Sequence, residues 1–316
     1  MHAFSGKDFL TLKGVCRADL EFLFDMTRSM ETILRNRTRT HLLEDKLLGL
    51  AFFQVSTRTR MSFESAIQRL GGGVVGFADP KTTRSGDYYA ESLYDVVRMM
   101  ESYADMLVIR HPKDGAPAEA AAATDIPVIN AGDGYNEHPT QGLLDAYTIF
   151  REKGRLDGLQ IALVGDMNMR VLHSLPLALA AFGSQVYFVS PKEQAQPEIW
   201  REEYKKVGLR YEERETLDGL LPELDVIYLM GTKTPSYAQG RVDAVTEHEA
   251  TPRPYVIDRE KLEKAKKELI VLHPLPRADE LPIEIDSMSA ARYFVQAHYG
   301  VAVRMALLAA IMGRTA

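Results

Sequence analysis

The sequence has little cysteine, no excess of basic residues and no long hydrophobic run, and each shortage excludes a class of protein. Cys16 is the only cysteine, which excludes an intrachain disulfide framework and a cysteine-based metal cluster and is typical of a reducing compartment. Basic side chains number 38 and acidic ones 44, a formal charge of -6, so a nucleic-acid partner has little support. Any site for an anion must therefore be local.

Apolar runs are too short to predict a membrane span. The richest, Ala302–Met312, contains Arg304 and falls below the roughly 18 apolar residues that a spanning helix needs. The N-terminus lacks the basic, apolar and small-residue order of a secretory signal. We therefore expect a protein that is neither secreted nor membrane-spanning, with the cytoplasm as its compartment.

The 316 residues suit two domains, and short apolar runs alternate with helix-period segments as in βαβ units. The predicted fold class is α/β, with two doubly wound parallel-sheet domains joined by long helices. The predicted domains are residues 1–139 and 140–288, and a C-terminal helix within 289–316 is expected to pack back on the first. The predicted strands are Leu48–Phe53, Val74–Phe77, Met106–Ile109 and Pro127–Asn130, then Gln160–Val164, Gln185–Val189, Leu209–Glu212, Val226–Met230 and Ile270–Leu272. The predicted helices are Arg60–Leu70, Glu91–Tyr103, Ala116–Ala123, Thr140–Lys153, Val171–Phe182, Glu198–Lys206, Arg259–Lys266 and Ser289–Gly313.

Residues 56–60, Ser-Thr-Arg-Thr-Arg, lie between an apolar run and an amphipathic one. Ser56 or Thr57 can cap a helix that begins near Arg58, and the first N–H groups of such a helix attract anions. The planar fork of arginine suits phosphate. An ordinary N-cap with solvated arginines explains the same residues, so the rest of the sequence must decide.

Two other polar positions follow predicted strands in the first half. Pro139 suits the first position of a helix, which places His138 at its entrance and Gln141 one turn in. An imidazole there can polarise a carbonyl, or it can be a hydrogen-bonded structural group. Arg110 ends a strand, where a basic side chain reaches the crevice at the carboxyl edge of a sheet.

Two segments of the second half also carry candidate ligand groups. His273–Arg277, His-Pro-Leu-Pro-Arg, ends a strand, and its prolines either leave carbonyls for a ligand amide or only form a rigid turn. Residues 165–170, Gly-Asp-Met-Asn-Met-Arg, follow a strand without the G-x-G-x-x-G spacing. That absence disfavours nucleotide binding and leaves Arg170 as a candidate anion ligand.

Together and in this order, the motifs resemble the aspartate/ornithine carbamoyltransferase family over nearly the whole chain. Residues 56–60 look like its carbamoyl-phosphate motif, and Arg110, Asn130–Gly134 and His138–Gln141 follow. His273–Arg277 is similar to the catalytic chain of the aspartate branch, whereas the ornithine branch typically has a cysteine after that histidine. The resemblance implies transfer of the carbamoyl group of carbamoyl phosphate to an amino acid, most readily aspartate, giving N-carbamoyl-aspartate and phosphate in pyrimidine biosynthesis.

The resemblance also implies roles for individual residues. Phosphate would contact residues 56–59, Thr59, Arg110 and His138 would polarise the carbamoyl carbonyl, and Gln141 with the backbone at Pro274 and Leu275 would bind the amide. No metal or organic cofactor is expected, because positioning and preorganised positive charge supply the catalysis. The family's catalytic unit is a trimer with shared sites, so a homotrimer is expected. The candidate catalytic residues are Arg58, Thr59, Arg110 and His138, and the candidate substrate-binding residues are Ser56, Thr57, Gln141, Arg170, Lys233, Arg241, Pro274 and Leu275.

Three stretches depart from the aspartate branch. The loop Lys81–Ala90 does not carry the lysine that the branch sends into the neighbouring site, so Arg84 substitutes for it or the contact is absent. Residues 231–233, Gly-Thr-Lys, stand where the branch has Arg-x-Gln for aspartate, and residues 54–55, Gln-Val, where it has Glu-Pro. Lys233 or Arg241 can restore the lost charge. A carbamoyltransferase for another amine, and a non-catalytic paralogue that binds a partner subunit, therefore stay open.

Overall fold

The computed structural model describes residues 3–86, 90–232 and 250–315. The chain divides into two compact units, which we call the first unit (Met1–Leu143 with His298–Ala316) and the second unit (Leu144–Ala297). Both are built on parallel sheets with helices, so the predicted α/β class with two parallel sheets is confirmed. The exact domain boundaries expected from the sequence remain a prediction.

In the first unit, four parallel strands form one sheet in the order β2-β1-β3-β4. The strands β1 and β3 are buried almost end to end, as expected for strands of a parallel sheet covered on both faces. The strands are β1 (Leu47–Phe52), β2 (Gly73–Phe77), β3 (Met106–His111) and β4 (Val128–Asp133). The helices are α1 (Arg17–Arg35), α2 (Arg58–Arg69), α3 (Leu93–Glu101) and α4 (Ala116–Ala121), and α5 (Pro139–Lys153) leads into the second unit.

In the second unit, five parallel strands form a sheet in the order β7-β6-β5-β8-β9. The edge strand β7 is mostly exposed and charged, a composition that opposes edge-to-edge pairing. The strands are β5 (Gln160–Val164), β6 (Gln185–Val189), β7 (Arg210–Arg214), β8 (Val226–Leu229) and β9 (Ile270–Leu272). The helices are α6 (Val171–Ala180), α7 (Glu198–Lys206) and α8 (Arg259–Glu263), and α9 (Tyr293–Ile311) returns to the first unit.

Helix α9 is long and apolar enough, by length and composition, to cross a membrane. However, 67% of its apolar window is buried inside the structure, which is the pattern of a core helix. Its predicted start at Ser289 is wrong, because the preceding backbone pairs with β9 instead. Val271 N–H donates to Ala290 O at 2.8 Å, and Arg292 N–H donates to Val271 O at 3.0 Å. The helix therefore begins at Tyr293.

Helix α1 is absent from the sequence-based prediction. Its start has a recognisable signal, since the Asp19 carboxylate accepts from Cys16 N–H at 3.2 Å, as the third helical residue does in a capping box. Its buried residues include the following, which have the i, i+3, i+4 spacing of one helix face: Leu20, Leu23, Phe24, Thr27, Met30 and Leu34. This period is the amphipathic pattern of a helix that packs one face on a core.

Other differences lie at element ends. Helix α3 begins at Leu93 rather than Glu91, because Ser92 is its N-cap and accepts from Asp95 N–H at 3.1 Å. Helix α8 ends at Glu263 rather than Lys266, because hydrogen bonds to the residue three positions back follow it. Such tighter turns are frequent at helix ends.

Candidate active site

The first unit has a topological switch point between β1 and β3. The chain leaves β1 through α2 to β2 on one side, whereas β3 lies on the other side of β1. Ligands of doubly wound sheets bind at such a point, beyond the carboxyl ends of the strands. Here the ends are in register, since Phe52 pairs with Arg110 and Phe53 N–H donates to Arg110 O at 2.9 Å. The residues after β1 and the end of β3 therefore share this edge of the sheet.

Helix α2 begins at Arg58, directly after this edge. The predicted side-chain cap is wrong for Thr57, which occupies the N-cap position but makes no capping hydrogen bond. Capping needs an extended backbone, and Thr57 has helical angles, φ -76° and ψ -58°. The N–H groups at the start of α2 are thus not covered by that side chain, and a helix N-terminus of this kind attracts anions.

The members of the 56–60 motif differ in exposure. Thr57 and Arg58 are exposed, Ser56 is half-buried and Thr59 is buried. Arg60 forms an ion pair with Glu64 one turn on, with 2.7 Å between Nη2 and Oε1. Arg60 therefore stabilises α2, and Arg58 is the arginine of the motif that faces outward at the helix start.

Arg110 and His138 are in contact, and both are more than nine-tenths buried. Arg110 Nη1 donates to Ala131 O at 3.1 Å and lies 3.4 Å from His138 Nε2. A guanidinium has no acceptor, so in a hydrogen bond between these two atoms Nε2 accepts, which assigns the ring proton to Nδ1. Nδ1 lies 3.5 Å from Thr140 Oγ1. The structure thus places two of the predicted catalytic residues together at the switch point.

Helix α5 begins at Pro139, one residue before the predicted Thr140, which confirms the expectation that Pro139 is a first helical residue. His138 stands directly before it, and Gln141 N–H donates to His138 O at 2.9 Å. The Gln141 side chain is half-buried in the first turn. Both residues thus lie at the helix entrance, as the proline position indicates.

Sequence reasoning assigned no role to Asp133, which organises the loop before α5. Its Oδ1 accepts from Asn130 Nδ2 at 2.9 Å and from Glu137 N–H at 3.2 Å. Its Oδ2 accepts from Gly115 N–H at 2.7 Å and from Asn136 Nδ2 at 3.0 Å. A buried carboxylate is stable with this many donors, and they fix the path of the chain into His138. The acidic residue at the end of a buried strand was the available signal.

The second unit has its own switch point, between β5 and β8, because β6 and β8 lie on opposite sides of β5. Gly165 follows β5 with φ +127°, and a Cβ there would lie 2.1 Å from Met230 O. Only glycine fits such a close approach of two backbones. The loop leads to Arg170, which is buried and stands directly before α6. Arg170 is therefore at the sheet edge where the sequence predicts an anion ligand.

Gln194 joins the two loops of this edge. Its carbonyl accepts from Met167 N–H at 3.0 Å, and its side-chain amide donates to Thr232 O. Thr232, from the stretch that departs from the aspartate branch, is buried. Lys233 and Arg241 lie outside the described residues, so their assignment as substrate ligands stays a prediction.

The segment after β9 is held by a buried histidine. Leu275 N–H donates to His273 Nδ1 at 2.8 Å, and His273 Nε2 lies 3.0 Å from Glu280 Oε1. Burial alone would raise the pKa of Glu280, but hydrogen bonds from His273 and from Ala278 N–H outweigh it, and the pKa lies below its ordinary value. Leu275 has φ +58°, a left-handed conformation that costs a residue other than glycine about 1 kcal/mol or more. These contacts fix the Pro274–Leu275 backbone.

Arg277, the last residue of the same motif, has a structural partner. Its Nη2 lies 2.8 Å from Asp286 Oδ2, and its guanidinium is 5.3 Å from the centre of the Tyr293 ring. Hydrogen bonds from Arg277 and Tyr293 lower the pKa of Asp286 to about 2. Burial, together with Asp286, raises the pKa of Tyr293 to about 12. Arg277 therefore anchors the segment to the start of α9.

Arg84, the candidate replacement for the missing loop lysine, lies in a short 3-10 turn, Arg84–Gly86. Its carbonyl accepts from Glu91 N–H at 3.3 Å. Residues 87–89 of this loop lie outside the described ranges. Within those ranges, no group of three or more His, Cys, Asp or Glu residues is arranged to hold a metal ion. Among the candidate residues that the structure describes, the positively charged groups available to an anion are the guanidinium groups of Arg58, Arg84, Arg110 and Arg170.

Comparison with known sequence families gives two consecutive matches. Residues 7–151 match the aspartate/ornithine carbamoyltransferase, carbamoyl-P binding domain. Residues 157–311 match the Asp/Orn binding domain of the same family. Among similar proteins, the aspartate carbamoyltransferase catalytic subunit of Methanopyrus kandleri is 43% identical over 317 residues, covering 99% of each chain. That of Methanocaldococcus jannaschii is 42% identical, covering 96% of each.

Solved structures agree. Aspartate transcarbamoylase from Trypanosoma cruzi in complex with carbamoyl aspartate and phosphate has a TM-score of 0.86 and 33% identity, covering 98% of this chain and 97% of the other. The catalytic subunit of the M. jannaschii enzyme has a TM-score of 0.84 and 39% identity, covering 97% and 98%. The family inferred from the sequence motifs is thereby confirmed: the chain belongs to the aspartate/ornithine carbamoyltransferases.

Proposed function

We propose that this carbamoyltransferase transfers the carbamoyl group of carbamoyl phosphate to the amino group of aspartate, giving N-carbamoyl-aspartate and phosphate. The predicted enzyme class is confirmed by the family, and the aspartate acceptor is supported by full-length relatives that carry that name. The observation that carries the proposal is the buried Arg110–His138 pair at the switch point reached by residues 56–59.

The donor phosphate is proposed to bind at the start of α2. Ser56, Thr57 and Thr59 supply hydroxyl groups there, Arg58 supplies a planar cation, and the helix N-terminus adds its N–H groups. Arg58 is exposed, so it can close over a bound phosphate. Binding the phosphate here presents the carbamoyl carbon to the end of β3.

Arg110 is proposed to polarise the carbamoyl carbonyl together with Thr59, and His138 is proposed to take part through its contact with Arg110. His138 Nε2 accepts from Arg110 in the present tautomer, so it orients the guanidinium, which is the stronger donor. The amine of aspartate attacks the carbon, a C–N bond forms, and negative charge develops on the oxygen, where fixed donors stabilise it. The C–O bond to phosphate then breaks, and the leaving phosphate takes the proton of the amine.

The remaining substrate contacts are proposed for other candidate residues. Gln141 and the carbonyls of Pro274 and Leu275 bind the carbamoyl amide. Arg170 binds one carboxylate of aspartate, and Lys233 or Arg241 supplies the charge that the aspartate branch obtains from its Arg-x-Gln stretch. Neither residue stands where the branch has its arginine, and a lysine also lacks the bidentate fork. We therefore expect a high Michaelis constant for aspartate that rises further in Lys233→Ala or Arg241→Ala.

The assembly is proposed to be a cytoplasmic homotrimer in which Arg84 reaches a neighbouring site. The support is the name of the relatives, which are catalytic subunits, and the single exposed cysteine, which suits a reducing compartment. Light scattering tests the trimer directly. A monomer with full activity would contradict it.

The donor site is tested by calorimetric titration with carbamoyl phosphate. Arg58→Ala is expected to weaken binding by about 10-fold or more, the usual cost of removing a charge-assisted hydrogen bond. Arg69→Ala is the matched control, because it removes an arginine from the last turn of the same helix. Equal affinity in both variants would refute the placement of the phosphate.

A further inference from the structure

A chain of buried hydrogen bonds in the second unit runs from α5 to the segment after β9. The Asp145 carboxylate accepts from Tyr228 Oη at 2.7 Å and from Gln296 Nε2 at 2.6 Å. Gln296 Oε1 then accepts from His273 N–H at 2.9 Å. All four residues are at most 2% exposed. Three elements, α5, β8 and α9, therefore converge on the backbone where β9 ends.

The chemistry of Asp145 fixes the orientation of the Gln296 amide. An ionised carboxylate only accepts hydrogen bonds, so the Gln296 NH2 group must face it. The amide oxygen then faces His273 N–H, which can only donate. A flipped amide would set oxygen against carboxylate and NH2 against N–H. The two ends of the Gln296 side chain are therefore assigned by its partners.

The constraint continues through His273 into the substrate-binding backbone. Leu275 N–H occupies His273 Nδ1, so the ring proton is on Nε2, directed at Glu280. Gln296 accepts a hydrogen bond from the backbone N–H of His273, and the His273 ring accepts one from the backbone N–H of Leu275, two residues on. The carbonyls of Pro274 and Leu275 lie on the backbone that these two bonds position.

We propose that Gln296, oriented by Asp145, is a positioning residue that sets the Pro274 and Leu275 carbonyls for recognition of the carbamoyl NH2 group. This inference rests on the proposed function. The inference also goes beyond that function, because Gln296 is buried and acts through its hydrogen bond to the backbone of His273. A site built to hydrogen-bond a substrate NH2 rejects an analogue that lacks it, and misplaced carbonyls would lose that discrimination.

The test compares carbamoyl phosphate with acetyl phosphate, in which a methyl group replaces the NH2. The kcat/KM for carbamoyl phosphate and the competitive inhibition constant of acetyl phosphate are measured for wild type and for Gln296→Met. Met keeps the length of the side chain and removes both hydrogen bonds. We expect kcat/KM for carbamoyl phosphate to fall by about 10-fold, the size of one well-placed hydrogen bond, with the acetyl phosphate constant changed by less than about 2-fold.

Gln196→Met is the matched control. Gln196 is equally buried in the same unit but donates to Tyr204 Oη at 2.8 Å, in a different network. We expect it to leave unchanged the ratio of kcat/KM for carbamoyl phosphate to the affinity for acetyl phosphate, which is the reciprocal of the inhibition constant. Tyr228→Phe is the milder second variant, which removes one donor from Asp145 and is expected to lower the same ratio a few-fold, even if Gln296→Met does not fold.

Three results would overturn the inference. The first is an equal fold-loss, in Gln296→Met, of kcat/KM for carbamoyl phosphate and of affinity for acetyl phosphate, which marks a purely structural role. The second is an unchanged kcat/KM for carbamoyl phosphate in Gln296→Met, or an unchanged ratio in Tyr228→Phe if the first variant is unfolded. The third is a wild type with equal affinity for carbamoyl phosphate and acetyl phosphate. Absence of wild-type turnover of carbamoyl phosphate would instead refute the proposed function, so the two failures are distinguishable.

Discussion

Replacing Asp133 by Asn tests the loop that leads into His138. The carboxylate accepts four hydrogen bonds, two at each oxygen, from Asn130, Glu137, Gly115 and Asn136. An asparagine amide has one oxygen and one NH2 group. Whichever way it turns, two of the four donors face an NH2 group that cannot accept. Asp133→Asn therefore changes few atoms but removes half of the hydrogen bonds.

The structure sets the size of this effect. Hydrogen bonds to a charged, buried group contribute about 1.5–3 kcal/mol each, so losing two is expected to lower the free energy of unfolding by roughly 3–6 kcal/mol. A typical protein has only about 5–15 kcal/mol in total. The affinity for carbamoyl phosphate should fall too, because either orientation of the amide removes two of the hydrogen bonds that hold the loop leading into His138.

Urea denaturation followed by circular dichroism measures the change in stability, and calorimetry measures carbamoyl phosphate binding. Asp25→Asn is the control, because Asp25 is exposed and meets Arg28 at 3.4 Å. We expect its effect to stay within about 0.5 kcal/mol, as for most surface substitutions. A loss below about 1 kcal/mol in Asp133→Asn, similar to that control, would refute the reasoning.

Gly165→Ala is expected to destabilise the second unit by about 2–4 kcal/mol, since a Cβ meets backbone at 2.1 Å. Gly158→Ala, with open space around its Cβ, should cost about 1 kcal/mol in the same urea titration, and equal costs would contradict the close approach. The pKa of Glu280 is lowered on folding, so its contribution is present above the ordinary value of 4.5 and is lost as the pH falls through the lower folded value. Glu280→Gln should reduce the fall in the free energy of unfolding at acidic pH, and a fall as large as that of the wild type would argue against this contribution of Glu280. Arg110→Lys keeps the charge but loses the fork, so kcat should fall by about 100-fold, whereas a loss confined to KM would exclude a role in the transition state.

Much of the fold could be predicted from the sequence, because each buried parallel strand is a short apolar run with a helix-period segment after it. Strands β5, β6 and β9 were predicted to the residue. The sequence-based prediction lacks helix α1, although its capping residue and its apolar period are both present in the sequence. The start of α9 could not be predicted, because residues 290–292 pair with β9, and that pairing is a tertiary contact without a local signal.

Some residues of the candidate site could likewise be predicted from the sequence, and others could not. Residues with a distinctive local pattern, such as the 56–60 motif and the proline after His138, could be identified by position. The residues that hold the site could not, because Asp133 and Gln296 are defined by partners far away in sequence. Gln296 contacts Asp145 across 151 positions, and no spacing rule connects such a pair. Sequence therefore indicates the groups that meet a ligand better than the groups that orient them.

Steady-state kinetics with carbamoyl phosphate and a choice of acceptor tests the central claim most directly. Phosphate release is measured with aspartate, ornithine and simple amines, and the carbamoylated product is identified by mass. We expect saturable turnover with aspartate, N-carbamoyl-aspartate as the product, and no comparable rate with ornithine. Efficient turnover of another amine without turnover of aspartate, or no turnover with any amine despite tight donor binding, would contradict it.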